Sequence, residues 1–347
     1  MLKTLLDKPG EWITRGGPEI DTVVNTRGTL ARNIADLPFP GRCSEDEKRA
    51  VQERALAAIE TAGLNASGTY VAVTELHVRE LRMLIERHLI TRQLIEGRGP
   101  RGVFIANDQS YSILVNERDH LRLCAFAGGL QPDEVWQTLS QLDDALALSL
   151  DYAYHEKRGF LTSSLDEVGT GLKLTATLHL PAVAANKRVF DVEQNVRAEH
   201  HTLDGVFDGV TDAAGNFYVL TNRGTLGRSE GEIAFHLRTL AIGVRTHERN
   251  AREAMSTDNA AALSDRVGRA LGVARGARLL DFREGLSLLS SIRLGVATAQ
   301  VESLNYPILD EVLVTSQPAH IECKLGAASD DLALSIARAD LFRGSFS

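Results

Sequence analysis

The chain has 347 residues, 46 Asp and Glu against 38 Lys and Arg, a formal charge of −8 and 44% apolar residues. At about 100–200 residues per domain it is long enough for two domains, each able to bury a core without disulfide staples. The acidic balance argues against duplex DNA or an anionic membrane as principal partner, since both require a net basic surface.

The N-terminal run MLKTLLDKPGEWI is interrupted by Lys3, Asp7 and Lys8, so no export signal is expected. No apolar stretch approaches the ~18 residues of a membrane span, which leads us to expect a soluble protein. Cys43, Cys124 and Cys323 are odd in number and show no CxxC or metal-type spacing. Free thiols in a reducing compartment follow, with the cytoplasm as the expected location. There is no internal repeat and no low-complexity tract.

In chain order, Ser44 to about Ala62 and Glu75–His88 carry apolar residues at helical spacing, with the short β-branched TYVAVTEL between them. RGVFIAN, SYSILVN and LRLCAFAGG alternate and are separated by turn residues, as in an antiparallel meander. A helix is expected from about Asp133 to Tyr152. Leu172–Leu180 and Phe217–Thr221 read as strands, with a polar helix near Asn186–Thr202 between them. Beyond Glu232 the β signal largely stops: 232–255, 260–272 and 284–300 look helical, DEVLVTSQ follows, and a last helix lies near 330–343. A boundary near Ser256–Asn259 divides a mixed α/β domain, 1–255, from a smaller helical domain, 256–347.

Five segments in one order resemble the ATP:guanidino phosphotransferases, and within them the bacterial protein-arginine kinases: VVNTRGTLARNIADLPFPGR at 23–42, ERHLIT at 86–91, NERDHLRL at 116–123, GFLTSSLDEVGTGLKLTATLHLPA at 159–182 and GNFYVLTNRGTLGRSEGEI at 215–233. A further LVTSQPAHI at 313–321 resembles the region beyond the kinase domain of the protein-arginine kinases. The resemblance implies an α+β fold, with a mostly antiparallel eight-stranded sheet flanked by helices, plus a small all-helical C-terminal domain. It also implies ATP with Mg, a protein substrate or regulatory partner such as Clp-type protease machinery or a zinc-binding activator, and a homodimer.

Moving a γ-phosphoryl group to a guanidinium nitrogen requires cations around the phosphates, and carboxylates that orient the acceptor and help remove a proton. The ATP-binding set implied by the resemblance is Thr26, Arg27, Thr29, His88, Arg122, Lys173, Thr175 and Thr177. Thr29 stands where the family has a second arginine. Lys173 replaces another, keeping the charge but losing the planar fork. In a gap-free reading a further family arginine falls on Asp204; a gapped reading would use Arg197 and Glu199 instead.

The acceptor side departs further. The family's N-E-E-D-H becomes Asn116-Glu117-Arg118-Asp119-His120, placing Arg118 where a guanidinium-binding acid is implied. At 4 Å like charges repel by about 1 kcal/mol in water and about 4 kcal/mol at an effective dielectric of 20. If the segment is extended, Glu117 points away from the site that Arg118 occupies. The second acid falls on Gly209, with Asp208 beside it, so Glu117 and Asp208 are the candidate replacements; Ser164 stands for a family cysteine.

His200-His201 lack a second ligand cluster and are expected as exposed helix residues rather than a metal pair. Gly169 and Gly171 serve either as turns or, inside the family pattern, as phosphate contacts. The C-terminal ALSIARADLFR matches a phosphoarginine-receptor motif only at Arg338-Ala339 and reads as a surface helix. Two functions compete: a protein-arginine kinase, active or impaired, and a pseudokinase that keeps the fold and acts as a scaffold or regulator.

Overall fold

The computed structural model of the chain describes residues 8–207, 213–326 and 330–347. Ten strands occur among them: β1 Val23–Arg32, β2 Gly68–Ala72, β3 Gly102–Ala106, β4 Tyr111–Val115, β5 Leu121–Gly128, β6 Tyr154–His155, β7 Gly159–Phe160, β8 Leu172–His179, β9 His201–Gly205 and β10 Phe217–Asn222. Eight of them form one sheet in the order β2-β3-β4-β5-β1-β8-β10-β9, and every neighbouring pair runs antiparallel. The meander expected from three alternating segments is β3-β4-β5. β6 and β7 form a separate small hairpin.

The long strand β1 sits in the middle because it is apolar on one side and polar on the other. Leu30 and Gly28 share a face with Leu123 and Ala125 of β5 and with Leu172, Leu174, Ala176 and Leu178 of β8. This face is covered by the helices Glu45–Thr61, Pro132–Ala147 and Glu230–Asp258, whose Val51, Ala55, Val135, Leu139, Leu237 and Ala241 join one core. Each of these Val and Leu side chains, fully removed from water, contributes about 1.5–3 kcal/mol in hydrophobic transfer. Gly28 is required by this packing: a Cβ there would lie 2.6 Å from Val135 Cγ1 and 2.7 Å from Leu139 Cδ1.

Helix ends follow local chemistry. Ser44 and Glu47 make a reciprocal capping box at the start of Glu45–Thr61, as Ser229 and Glu232 do for Glu230–Asp258. The latter helix runs to Asp258, and Asn259 separates it from Ala260–Gly276. The helices that follow do not stand apart from the sheet: Ala270, Leu286, Leu309, Leu313 and Phe342 share a core with Val24 of β1 and Phe217 of β10. DEVLVTSQ belongs to the helix Tyr306–Thr315, opened by Asn305 as N-cap. No described helix is long and apolar enough to cross a membrane.

One expected element is corrected. The polar helix near Asn186–Thr202 ends at Ala198, and 201–205 is the edge strand β9, paired with β10 from Asn222↔His201 to Tyr218↔Gly205. His200 takes a φ of +57°, which turns the chain out of the helix. His201 is buried with Nδ1 against the Glu199 carbonyl at 2.7 Å, so it is not an exposed helix residue. No group of three His, Cys, Asp or Glu among the described residues is arranged for a metal.

Candidate active site

The face of the sheet opposite the helices carries the polar residues of β1, β5 and β8, because pairing register stacks alternate residues. Arg27 lies opposite Phe126 on β5 and Thr175 on β8; Thr29 lies opposite Cys124 and Lys173; Asn25 lies opposite Thr177. At its β3–β5 end this face is covered by residues 76–95 and by Trp12 and Ile13, which pack with Val103, Ile105, Leu114 and Phe126. Over β8 it opens, leaving Lys173 exposed and Thr175 half-buried.

Arg27 sits in this face as an uncompensated cation. Its Nε is buried without a hydrogen-bond acceptor, and burial pushes its pKa down to about 10, which still leaves it charged at neutral pH. His88, held at a φ of +60°, is its neighbour. Burial first, and the Arg27 charge second, keep that imidazole neutral well below its ordinary range. Thr177 donates to Asn25 Oδ1 at 3.0 Å and Thr175 to the Arg27 carbonyl at 3.4 Å. Thr26 is the exception in the expected set: its even position turns it to the helical face, where its hydroxyl donates to the Gly129 carbonyl at 2.7 Å and accepts from the Gln131 N–H. It is fully buried and is not brought to this site.

Arg122 is held differently. Its five N–H groups all have acceptors: Nε–H with Glu117 at 3.0 Å, Nη1 with Thr29 Oγ1 at 3.3 Å and Glu167 at 3.4 Å, and Nη2 with Asp119 at 3.2 Å and Glu167 at 2.9 Å. Burial alone would lower its pKa, but the three carboxylates raise it, so the cation is permanent. Burial disfavours the Glu117 carboxylate, yet Arg122, the Thr91 hydroxyl and the Arg118 N–H together hold its pKa below the usual range.

Residues 116–120 form a bend rather than a strand, so the expected extended geometry is replaced. Glu117 turns inward to Arg122 and Arg118 turns out to solvent, two directions from adjacent residues. Glu167 was not singled out from the sequence; the signal available was an acid two residues before Gly169 in a segment otherwise expected to meet phosphate.

The turn into β8 is fixed from below. Buried Arg32 grips Asp143 with Nε and Nη2 at 3.0 and 2.7 Å and donates Nη1 to the Thr170 carbonyl at 2.9 Å, its guanidinium 3.5 Å from the Phe160 ring centre. Gly169 donates its N–H to Phe160 at 3.2 Å, so that amide serves a β-bridge and not an anion. A Cβ on Gly171 would lie 2.7 Å from the Ala31 carbonyl. These glycines are turn and close-approach residues.

On β9, Asp204 is exposed opposite Val219, on the polar face and without a register shift. Arg197 lies in a helix, paired with Glu193 at 3.0 Å, and Glu199 caps that helix, so the structure brings neither to the site. Asp208 and Gly209 lie outside the described residues. Arg338, expected on a surface helix, is buried and donates to the Ser316 and Leu280 carbonyls at 2.8 and 3.0 Å.

Residues 50–251 match the family model described as ATP:guanido phosphotransferase, C-terminal catalytic domain. The chain belongs to the ATP:guanido phosphotransferase family. Residues 260–347 match a second model, the protein-arginine kinase McsB C-terminal domain. Among curated relatives, the protein-arginine kinase of Symbiobacterium thermophilum is 36% identical over 339 residues, covering 97% of this chain and 96% of its own. That of Moorella thermoacetica is 35% identical over 341 residues, covering 97% of each. Among solved structures, lombricine kinase superposes with a TM-score of 0.59 at 22% identity, covering 71% of this chain and 70% of its own. A duplicated taurocyamine kinase from Schistosoma mansoni gives 0.60 at 18% identity, covering 74% and 39%. These two likenesses bear on the fold, which they share with this family member.

Proposed function

We propose that this chain binds ATP on the polar face between Arg27, His88, Thr29, Arg122, Lys173 and Thr175, and transfers the γ-phosphoryl group to arginine side chains of a protein, with turnover reduced by its altered acceptor side. The observation that carries the nucleotide reading is Arg27: a half-buried cation whose buried Nε lacks an acceptor, among hydroxyls and on the same face as exposed Lys173, suits an anion. Magnesium, carried mainly by the phosphates, would neutralise part of their charge. A protein acceptor is favoured because the helical segment 260–347 matches a protein-arginine kinase domain.

The test is incubation of the purified protein with labelled ATP-Mg and an arginine-rich protein such as casein, followed by mass spectrometry for phosphoarginine. Acid-labile phosphoarginine, lost in Arg27→Ala, is the expected result; none from the wild type overturns the reading.

A second reading is favoured by a separate observation. Arg122 has no free donor, Arg118 points outward and Asp204 sets a negative charge on the phosphate-side face. On this reading the protein is a pseudokinase scaffold of 1–255 and 256–347 units, working through cytoplasmic Clp-type machinery, a zinc-binding activator or a second copy of itself. A thermal shift with millimolar ATP and no phosphoarginine would select it.

A further inference from the structure

Arg122 touches three carboxylates, and they are not equally held. Glu117 also accepts from Thr91 Oγ1 at 2.6 Å and from the Arg118 N–H at 2.7 Å. Asp119 also accepts from Asn33 Nδ2 at 2.8 Å and the Ser163 N–H at 2.7 Å. The two oxygens of Glu167 are bonded, among the described residues, to Arg122 alone. A phosphate oxygen that is to bond Arg122 must take the place of one acceptor, and the least costly to displace is the one with no second anchor.

Displacement would leave Glu167 charged, 5% exposed, deprived of its cation and next to a triphosphate. That arrangement is unfavourable until another cation arrives. The place where one would arrive is also set. Ser163 donates its N–H to Asp119 and its hydroxyl to the Arg118 carbonyl at 2.8 Å, docking the Glu167 segment against the bend that carries Arg118. The buried, acceptorless Nε of Arg27 independently marks the same face as awaiting a ligand.

We infer that Glu167 is the acceptor carboxylate of this enzyme: nucleotide phosphate takes Arg122 from it, and the freed carboxylate then binds the arginine guanidinium that Arg118 cannot. In the transfer, Glu167 accepts a proton from the attacking guanidinium nitrogen, whose electron pair forms the N–P bond. The bond from the γ-phosphorus to the bridging oxygen breaks with its electrons remaining on ADP, and the proton passes from Glu167 to solvent. The inference rests on the arginine-kinase reading above.

The experiment compares full-length wild type, Glu167→Gln and Glu167→Asp for ATP-Mg affinity by calorimetry and for phosphoarginine formation on casein, with thermal melts to confirm folding. Glu167→Gln, nearly isosteric, is expected to bind ATP about tenfold more tightly, because its neutral amide competes less for Arg122. Its phosphoarginine formation should fall by about 100-fold or more, the scale of a lost general base. Glu167→Asp, retaining a carboxylate, should keep part of the activity. An active wild type with equal or faster transfer in Glu167→Gln overturns the inference alone, as does unchanged ATP affinity. A wild type that makes no phosphoarginine overturns the functional reading and the inference with it.

Discussion

Two arginines on one face of the sheet are kept in opposite electrostatic states. Arg27 is enclosed with a donor unused and a neutral imidazole for company, whereas Arg122 has every donor filled and three carboxylates around a single positive charge. The first corner is short of an anion and the second has two more anions than it can neutralise. A ligand combining phosphate with a cationic acceptor would relieve both, so the contrast has chemical content beyond the folding of either corner.

The largest expected effect tests the second corner. Arg122→Ala leaves three buried carboxylates without their cation and should cost about 3–5 kcal/mol, read as a large fall in the denaturant midpoint. If stability is unchanged, the cage is solvated and the contrast fails. Next, Arg27→Met should weaken ATP binding by about 10- to 100-fold while leaving the melting temperature equal or higher, since a half-buried cation whose buried Nε lacks an acceptor is removed. A fall in stability would show that Arg27 has a structural partner.

Acid separates the corners further. His88 has a folded pKa below its unfolded value, so the unfolded chain binds more protons and stability falls as pH drops through 6.5. The slope from one such group is at most about 1.4 kcal/mol per pH unit. His88→Gln should reduce the fall in melting temperature between pH 7 and 5 without abolishing it, because burial also lowers the pKa values of His120, His179, His201 and His320. Glu117 also has a depressed folded pKa, but its stabilisation is full above the usual carboxyl value of 4.5 and is lost only as pH falls below it. The carboxylates of the cage therefore stay charged in the range in which His88 weakens the fold, although buried His120 on the same bend, its pKa also lowered by burial, adds to the loss there. The smallest effect is at Lys173: Lys173→Arg, restoring a planar fork, should tighten ATP by about threefold. A loss of affinity would mean that the exposed ammonium does not meet phosphate.

Arg27, Thr29 and Lys173 share one face of the sheet because strand parity and motif agree at those positions, and the same parity turns Thr26, one residue off, to the other face. The helices were legible from apolar spacing. What stayed hidden needed distant segments to meet. The cage joins residues 91, 117–122 and 167, which no local spacing relates. His201 and Arg338 look solvent-bound by composition, yet one sits on an edge strand and the other satisfies carbonyls between helices. Polar HTLDG conceals a strand because only Leu203 and His201 turn inward.

Val24 lies three residues before Arg27 on β1 and shares its core with Leu286, Leu309 and Phe342. Removing the helices after Asn259 would strip apolar cover from the strand that carries the unpaired cation. The two ends of the chain are thus expected to unfold as one cooperative unit, with a single calorimetric transition, and a truncated 1–259 fragment should not inherit the nucleotide affinity of the whole.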